Sequence, residues 1–189
     1  MDSDAIASDL SEILYTEQQV QARIAELCRQ IEADYEGRPV LLVGVLKGAV
    51  MVMADLAREL RKLDVEMDWM ATSSYGAGTE SSGVVRIVKD LDTDIAGRNV
   101  LIIEDIVDSG LTLSWLRENL ETRGPASVEI CALLRKPDAA KVEIDAKYVG
   151  FEIPNAFVVG YGLDYAERYR NLRSVAVLAP HVYSEEHSA

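Results

Sequence analysis

The stretch N-V-L-I-I-E-D-I-V-D-S-G-L-T-L, residues 99–113, decides how the rest of the chain is read. Val100, Leu101, Ile102 and Ile103 make a short apolar run suited to a buried strand, and Glu104, Asp105 and Asp108 then crowd three carboxylates into the expected βα turn. The turn itself, Asp108-Ser109-Gly110-Leu111-Thr112, suits an anion. Gly110 permits close approach of the backbone, the first N–H groups of a helix lack partners within it, and the hydroxyls of Ser109 and Thr112 add donors. An ordinary helix cap fits this turn equally well on its own. Glu104 and Asp105 go further, because two adjacent acids closing an apolar strand are costly if buried without donors. Sugar hydroxyls, or a hard cation such as magnesium, would satisfy them. A ligand carrying both a phosphate and a polyol meets both demands, and a ribose 5-phosphate has that layout.

Outward from this stretch, strand and helix patterns alternate. Thr16 with Gln19 makes a capping box before Val20, Ile24, Leu27 and Ile31, which recur at helical spacing until Gly37-Arg38-Pro39. V-L-L-V-G-V-L, residues 40–46, reads as a buried strand, and Met53, Leu56, Ala57, Leu60 and Leu63 as the helix after it. Val65, Met67, Trp69 and Ala71 alternate with more polar neighbours, as in a strand with one exposed face. Residues 73–83, S-S-Y-G-A-G-T-E-S-S-G, are small and polar and predict a mobile loop. A strand over 84–88, a central strand over 99–103, a helix over 111–122 closed by Gly124-Pro125, and a strand over 128–134 follow. The last third offers short strands broken by turns. The pattern predicts an α/β domain with a mostly parallel central sheet flanked by helices, whose ligands bind at the carboxyl ends of the strands.

Bulk properties narrow the function. With 189 residues, 49% of them hydrophobic, the chain is expected to form a single domain over 1–189. Its formal net charge of -13 is the wrong sign for a nucleic-acid backbone binder. Cys28 and Cys131 have neither metal-like nor redox-like spacing and read as core residues. The start M-D-S-D-A-I-A-S-D-L lacks the features of a signal peptide, and no run reaches membrane-spanning length, so a cytoplasmic protein without a membrane partner is expected. G-V-L-K-G-A, residues 44–49, lacks the spacing of a Walker A loop, and no G-x-G-x-x-G follows a strand. Asp105 and Asp108, three apart, do not make the D-x-D-x-T pattern of aspartate-dependent phosphatases.

V-L-I-I-E-D-I-V-D-S-G-L-T-L resembles the phosphoribosyl pyrophosphate motif of the type I phosphoribosyltransferases. L-K-G at 46–48, S-S-Y-G at 73–76, L-L-R-K-P at 133–137 and V-G-F-E-I-P-N-A-F-V-V-G-Y-G-L-D-Y-A-E-R-Y-R-N-L at 149–172 narrow the resemblance to the bacterial hypoxanthine (or hypoxanthine-guanine) branch. It runs from about the first helix to Leu178, and the ordered set is far more specific than any one piece.

The resemblance implies that fold, with a small hood formed by terminal segments, and a homodimer or homotetramer. It implies that the 5-phosphoribosyl group passes from phosphoribosyl pyrophosphate to a 6-oxopurine, with magnesium as cofactor. Glu104 and Asp105 would hold the ribose hydroxyls and, with Asp164, the metal; Ser109, Gly110, Leu111 and Thr112 would cradle the 5-phosphate beside Asp108, the acid/base group near purine N7. Leu46, Lys47 and Gly48, across a peptide bond that in this family is often cis, would meet the pyrophosphate together with Arg170. Lys136 would donate to the 6-oxo group, Phe157 would stack on the ring, Val158 would offer main-chain contacts, and Asp164 would face the 2-position. Ser74 and Tyr75 would root a flexible lid.

Taken singly, Lys47, Lys136 and Arg170 read as solvated surface charges, Phe157 as core and Asp164 as a turn cap; it is their joint order that points to a site. For Asp108 two roles stand side by side. A carboxylate of ordinary pKa, about 3.9, is a weak base near neutrality, so proton transfer calls for burial, and an electrostatic role does not. An RNA-binding regulator on the same fold would want a basic face, which an acidic chain lacks. A phosphoribosyltransferase for another base, such as xanthine, guanine or a pyrimidine, is the remaining alternative, and F-V-V-G-Y-G-L-D-Y with R-K-P argues for a 6-oxopurine.

Overall fold

The computed structural model describes residues 1–74 and 85–184. Its larger sheet has six strands in the order β4-β3-β2-β5-β6-β7: β2 (Val40–Leu46), β3 (Val65–Ser74), β4 (Val85–Lys89), β5 (Asn99–Val107), β6 (Ser127–Arg135) and β7 (Tyr148–Glu152). All neighbours are parallel except β3 and β4. A three-stranded antiparallel hood orders β1 (Leu10–Tyr15), β9 (Val175–Leu178) and β8 (Val158–Val159). The expected α/β architecture and terminal hood are both present.

The continuous apolar runs of β2 and β5 follow from burial on two faces. Leu42, Leu101 and Ile103 join one core with Val20, Ile24, Leu27 and Ile31 of α1 (Glu17–Tyr35) and Val52, Met53 and Leu56 of α2 (Val50–Glu59). Alternate residues Leu41, Val43, Val100 and Ile102 join a second core with Leu113, Leu116 and Leu120 of α3 (Leu111–Glu121). The period of two thus sends neighbouring strand residues to opposite layers. Cys28 and Cys131 are free and buried in the first core, as expected.

Several expectations change: Ser73 and Ser74 close β3 rather than open a loop, and the helix after β2 stops at Glu59, short of Leu60 and Leu63. The central strand does not stop at Ile103 but runs to Val107, paired with β6 as far as Arg135, so Glu104 and Asp105 belong to the strand rather than the turn. In β3 the packed face is misassigned: Met67 is exposed while Asp68 and Met70 are buried. Asp68 is tolerated there because its carboxylate accepts the main-chain N–H groups of Trp69, Asp92 and Thr93, tying the following loop to the strand. The N-terminal segment, assigned no element from sequence, forms a 3-10 stretch (Ser3–Asp9) and β1, whose strand partner lies in β9.

At α1 the Thr16 hydroxyl accepts the N–H of Gln19, whose side chain accepts the N–H of Thr16, so the capping box is complete. Thr16→Ala is therefore expected to lower the unfolding free energy by about 1 kcal/mol. In urea denaturation the midpoint should fall with an unchanged slope.

Candidate active site

A cleft of about 350 Å³ opens at the carboxyl ends of β2 and β5. Its walls bring together Leu46, Lys47, Gly48, Glu104, Asp105, Asp108, Ser109, Gly110, Thr112, Asp164 and Arg170, eleven of the residues proposed from sequence. Thr72, at the end of β3, and Leu113 also line it, though neither carries a sequence signal. Gly110 caps α3 with φ +78°, and the Ser109 hydroxyl lies 3.5 Å from the N–H of Leu111. The following N–H groups of Thr112 and Leu113 belong to the helix's first turn, whose donors have no partner within the helix. A loop the sequence left unassigned closes over this turn: the N–H groups of Lys141 and Val142 donate to the Ser109 carbonyl at 3.0 and 3.3 Å.

Glycine makes the approach between β2 and β5 possible. The Leu46–Lys47 peptide is cis, as the resemblance implies, and a Cβ on Gly48 would stand 1.6 Å from Asp105 Oδ2. From the hood, a Cβ on Gly162 would stand 2.0 Å from the Gly48 carbonyl oxygen. Three segments distant in sequence are thereby brought together, with the Asp105 carboxylate in the space a Gly48 side chain would take.

The acids are in a costly state. Glu104 Oε2 is buried with no hydrogen-bond partner among the described residues, and burial, followed by the charge of Asp105, pushes the Glu104 pKa well above the carboxylate range. Burial lifts Asp105 from 3.8 to about 6, against the downward pull of the Ile106 N–H, which Oδ1 accepts at 2.7 Å. Arg170 also pulls it down, while Asp164 adds to the rise.

Elsewhere opposite charges pair. Lys136, 8% exposed, donates to Asp108 Oδ2 at 3.0 Å, and its main-chain N–H bonds the Val107 carbonyl at 2.9 Å. The burial that a base role asks of Asp108 falls instead on its neighbours, since the Asp108 side chain is 54% exposed. Arg170 donates to Asp164 Oδ1 at 2.8 Å and to the Gly162 carbonyl at 2.8 Å. Glu167, which the sequence reading passed over, accepts from Lys47 Nζ at 3.1 Å and lies 3.3 Å from Arg170 Nη2. Lys47 first, then Arg170, holds its pKa below the usual range.

Not every expected residue reaches the cleft wall. Leu111 does not line it, and Phe157 and Val158 sit in the hood. There Phe157 stacks on Tyr183 at 5.3 Å between centroids and meets Tyr165 edge-on at 5.6 Å. Lys136 joins the cleft only through Asp108. Ser74 is the last residue of β3, its backbone paired with Val85, and Tyr75 lies outside the described residues.

The sequence matches the phosphoribosyl transferase domain family over residues 11–166. The chain belongs to this family. It is 57% identical over 183 residues to the hypoxanthine-guanine phosphoribosyltransferase of Mycobacterium avium, covering 94% of this chain and 90% of that protein. The crystal structure of a hypoxanthine phosphoribosyltransferase from Staphylococcus aureus superposes with a TM-score of 0.91 at 48% identity, over 95% of this chain and 97% of that one. A Trypanosoma cruzi hypoxanthine phosphoribosyl transferase, studied for the role of its C-terminal region in oligomeric state and activity, gives a TM-score of 0.91 at 45% identity, over 96% and 97%. No helix among the described residues is long and apolar enough to cross a membrane.

Burial of Asp105 sets a pH dependence. Unfolded, the group titrates near 3.8, and folded near 6, so between these values the folded state binds more protons. Stability of the ligand-free protein should therefore fall as pH rises through that window and stay lower above it, with Glu104 acting in the same direction. Asp105→Asn should flatten this fall and raise Tm above the window by about 2–4 °C for each ~1 kcal/mol recovered. Thermal melts of both proteins across the window check this; an unaltered slope in the variant would remove Asp105 as its source.

Proposed function

We propose that this chain is a purine-salvage pentosyltransferase that moves the 5-phosphoribosyl group from phosphoribosyl pyrophosphate to hypoxanthine, guanine or both, releasing IMP or GMP and pyrophosphate. The observation that carries this reading is the unpartnered buried carboxylate of Glu104 beside the first turn of α3. One short wall offers acceptors without donors and donors without acceptors, the complement of a sugar phosphate.

In this reading Ser109, Thr112 and the first-turn amides hold the 5-phosphate, with Gly110 letting it approach the backbone. Glu104 and Asp105 accept hydrogen bonds from the ribose hydroxyls, which supplies a donor that Glu104 Oε2 lacks. Lys47, the main chain at Leu46 and Gly48, and Arg170 face the pyrophosphate. Lys136 donates to the 6-oxo group, and Asp108, 3.0 Å from it, meets the adjacent N7. The paired charges thus read two neighbouring atoms on one purine edge. An adenine amino group offers Lys136 no matching acceptor and leaves polar atoms unpaired, which discriminates strongly. Phe157 stacks on the ring and Val158 contributes main-chain contacts from the hood. Breaking the anomeric carbon–oxygen bond leaves positive charge on the ribose and negative charge on the diphosphate, so the cations at 47 and 170 act on the leaving group.

The donor set also fits magnesium: Glu104, Asp105 and Asp164 offer only oxygen, and Glu104 Oε2 has a free position. No three acidic, His or Cys side chains form a ready-made cluster among the described residues, so an ion there would need oxygens from substrate phosphate and water as well. Bound there, magnesium would neutralise charge on the diphosphate. A cytoplasmic homodimer or homotetramer, with no nucleic-acid or membrane partner, completes the reading.

Consumption of phosphoribosyl pyrophosphate measured with hypoxanthine, guanine, xanthine, adenine, uracil and orotate tests the assignment. Turnover is expected with hypoxanthine or guanine, and activity on a pyrimidine alone would refute it. Asp108→Asn should lower kcat on the order of 10²-fold with little change in donor affinity, as expected for a group that acts on the base in the transition state. Wild-type turnover in that variant would remove both roles of Asp108.

A further inference from the structure

The strongest feature left unexplained is Glu167. Its side chain is 63% exposed, yet it reaches across 120 residues of sequence to Lys47 at 3.1 Å and lies 3.3 Å from Arg170. The backbone that presents it is unusual. Ala166 and Glu167 occupy the left-handed region in succession, at φ 49° and 62°, which L side chains adopt at a cost. Asp164 Oδ2 secures the turn by accepting the Glu167 N–H at 2.9 Å, and Tyr165 and Arg168 exchange main-chain bonds across it at 3.2 and 2.9 Å. The turn therefore sets Glu167 against two cations that come from separate elements, β2's end and the hood, both on the cleft wall.

An exposed glutamate between two exposed or half-buried cations adds little to stability. It matters more for what else those cations can hold. Lys47 and Arg170 offer a lysine ammonium and a guanidinium on one side of the cleft, the recognition chemistry of a diphosphate. Glu167 offers them one carboxylate.

Resting on the assignment of Lys47 and Arg170 to pyrophosphate, we propose that Glu167 is an internal stand-in for that anion. It keeps the two cations in place while the subsite is free, gives them up when the diphosphate enters, and reclaims them as pyrophosphate leaves. Because carboxylate and diphosphate compete for the same donors, Glu167 weakens retention of the product. It is a positioning residue and takes no part in the bond that breaks.

The test is binding of inorganic pyrophosphate with magnesium, by calorimetry and as product inhibition, to the full chain, to Glu167→Gln and to Glu167→Ala. Both variants should bind pyrophosphate about three- to ten-fold tighter, the range expected when competition from two solvent-exposed ion pairs is lifted. KM for phosphoribosyl pyrophosphate should fall in parallel and KM for the purine should stay unchanged. Glu167→Asp, which keeps the charge, should remain near wild type. A role confined to bracing the turn would move the melting temperature and leave these constants alone. Unchanged or weaker pyrophosphate binding in the Gln and Ala variants, with a wild-type chain that binds normally, overturns this inference alone. A wild-type chain that binds neither pyrophosphate nor its phosphoribosyl donor overturns it together with the proposed function.

Discussion

Glu104 and Asp105 lie within β5, directly after its run buried on both faces, and the protein keeps them there without a compensating cation in bonding contact with Glu104. The arrangement needs Gly48, since any side chain at that position would occupy the space of the Asp105 carboxylate. It also needs Gly162, which lets the hood close on the Gly48 carbonyl. A fold optimised for stability alone would place apolar residues at 104 and 105, because buried charge without partners is destabilising. The cost is recovered when a ligand supplies donors, and binding to the folded state alone then stabilises it. Stability of the empty protein and affinity for a sugar phosphate thus pull these two positions in opposite directions.

Around this acid pair the charges are arranged by sign. Cations occupy the side assigned to the leaving group, where Lys47 and Arg170 share Glu167. The helix N-terminus and hydroxyls occupy the side assigned to the 5-phosphate. Lys136 and Asp108 form a neutral pair toward the base. A chain with a strongly negative net charge can bind an anionic substrate because only the local field at each subsite matters at these distances.

Much of this was legible beforehand. Capping at Thr16, the apolar runs of β2 and β5, and the helix after Gly110 are local signals, each set by residues within one turn or one strand of each other. The end of β5 was misplaced because carboxylates look like turn residues, while pairing with β6 carries the strand two residues past them. Asp68 misled in the same way, its burial made possible by N–H groups from a loop some twenty-five residues on. Strand β1 went unseen because its partner β9 lies at the other end of the chain. Glu167 carried no signal either, since an exposed glutamate in a turn is ordinary until its neighbours in space are known.

By itself, then, the sequence determined the alternation of elements, the anion-ready turn at 108–112 and the residue types available to a site, because propensity, capping and periodicity act over a few residues. Only the tertiary structure decided that Gly48 lies against Asp105 and Gly162 against Gly48, that Lys136 pairs with Asp108, and that Glu167 lies between Lys47 and Arg170. Those contacts join segments far apart along the chain, and steric fit and burial act on whatever the fold brings together, whatever the separation in sequence.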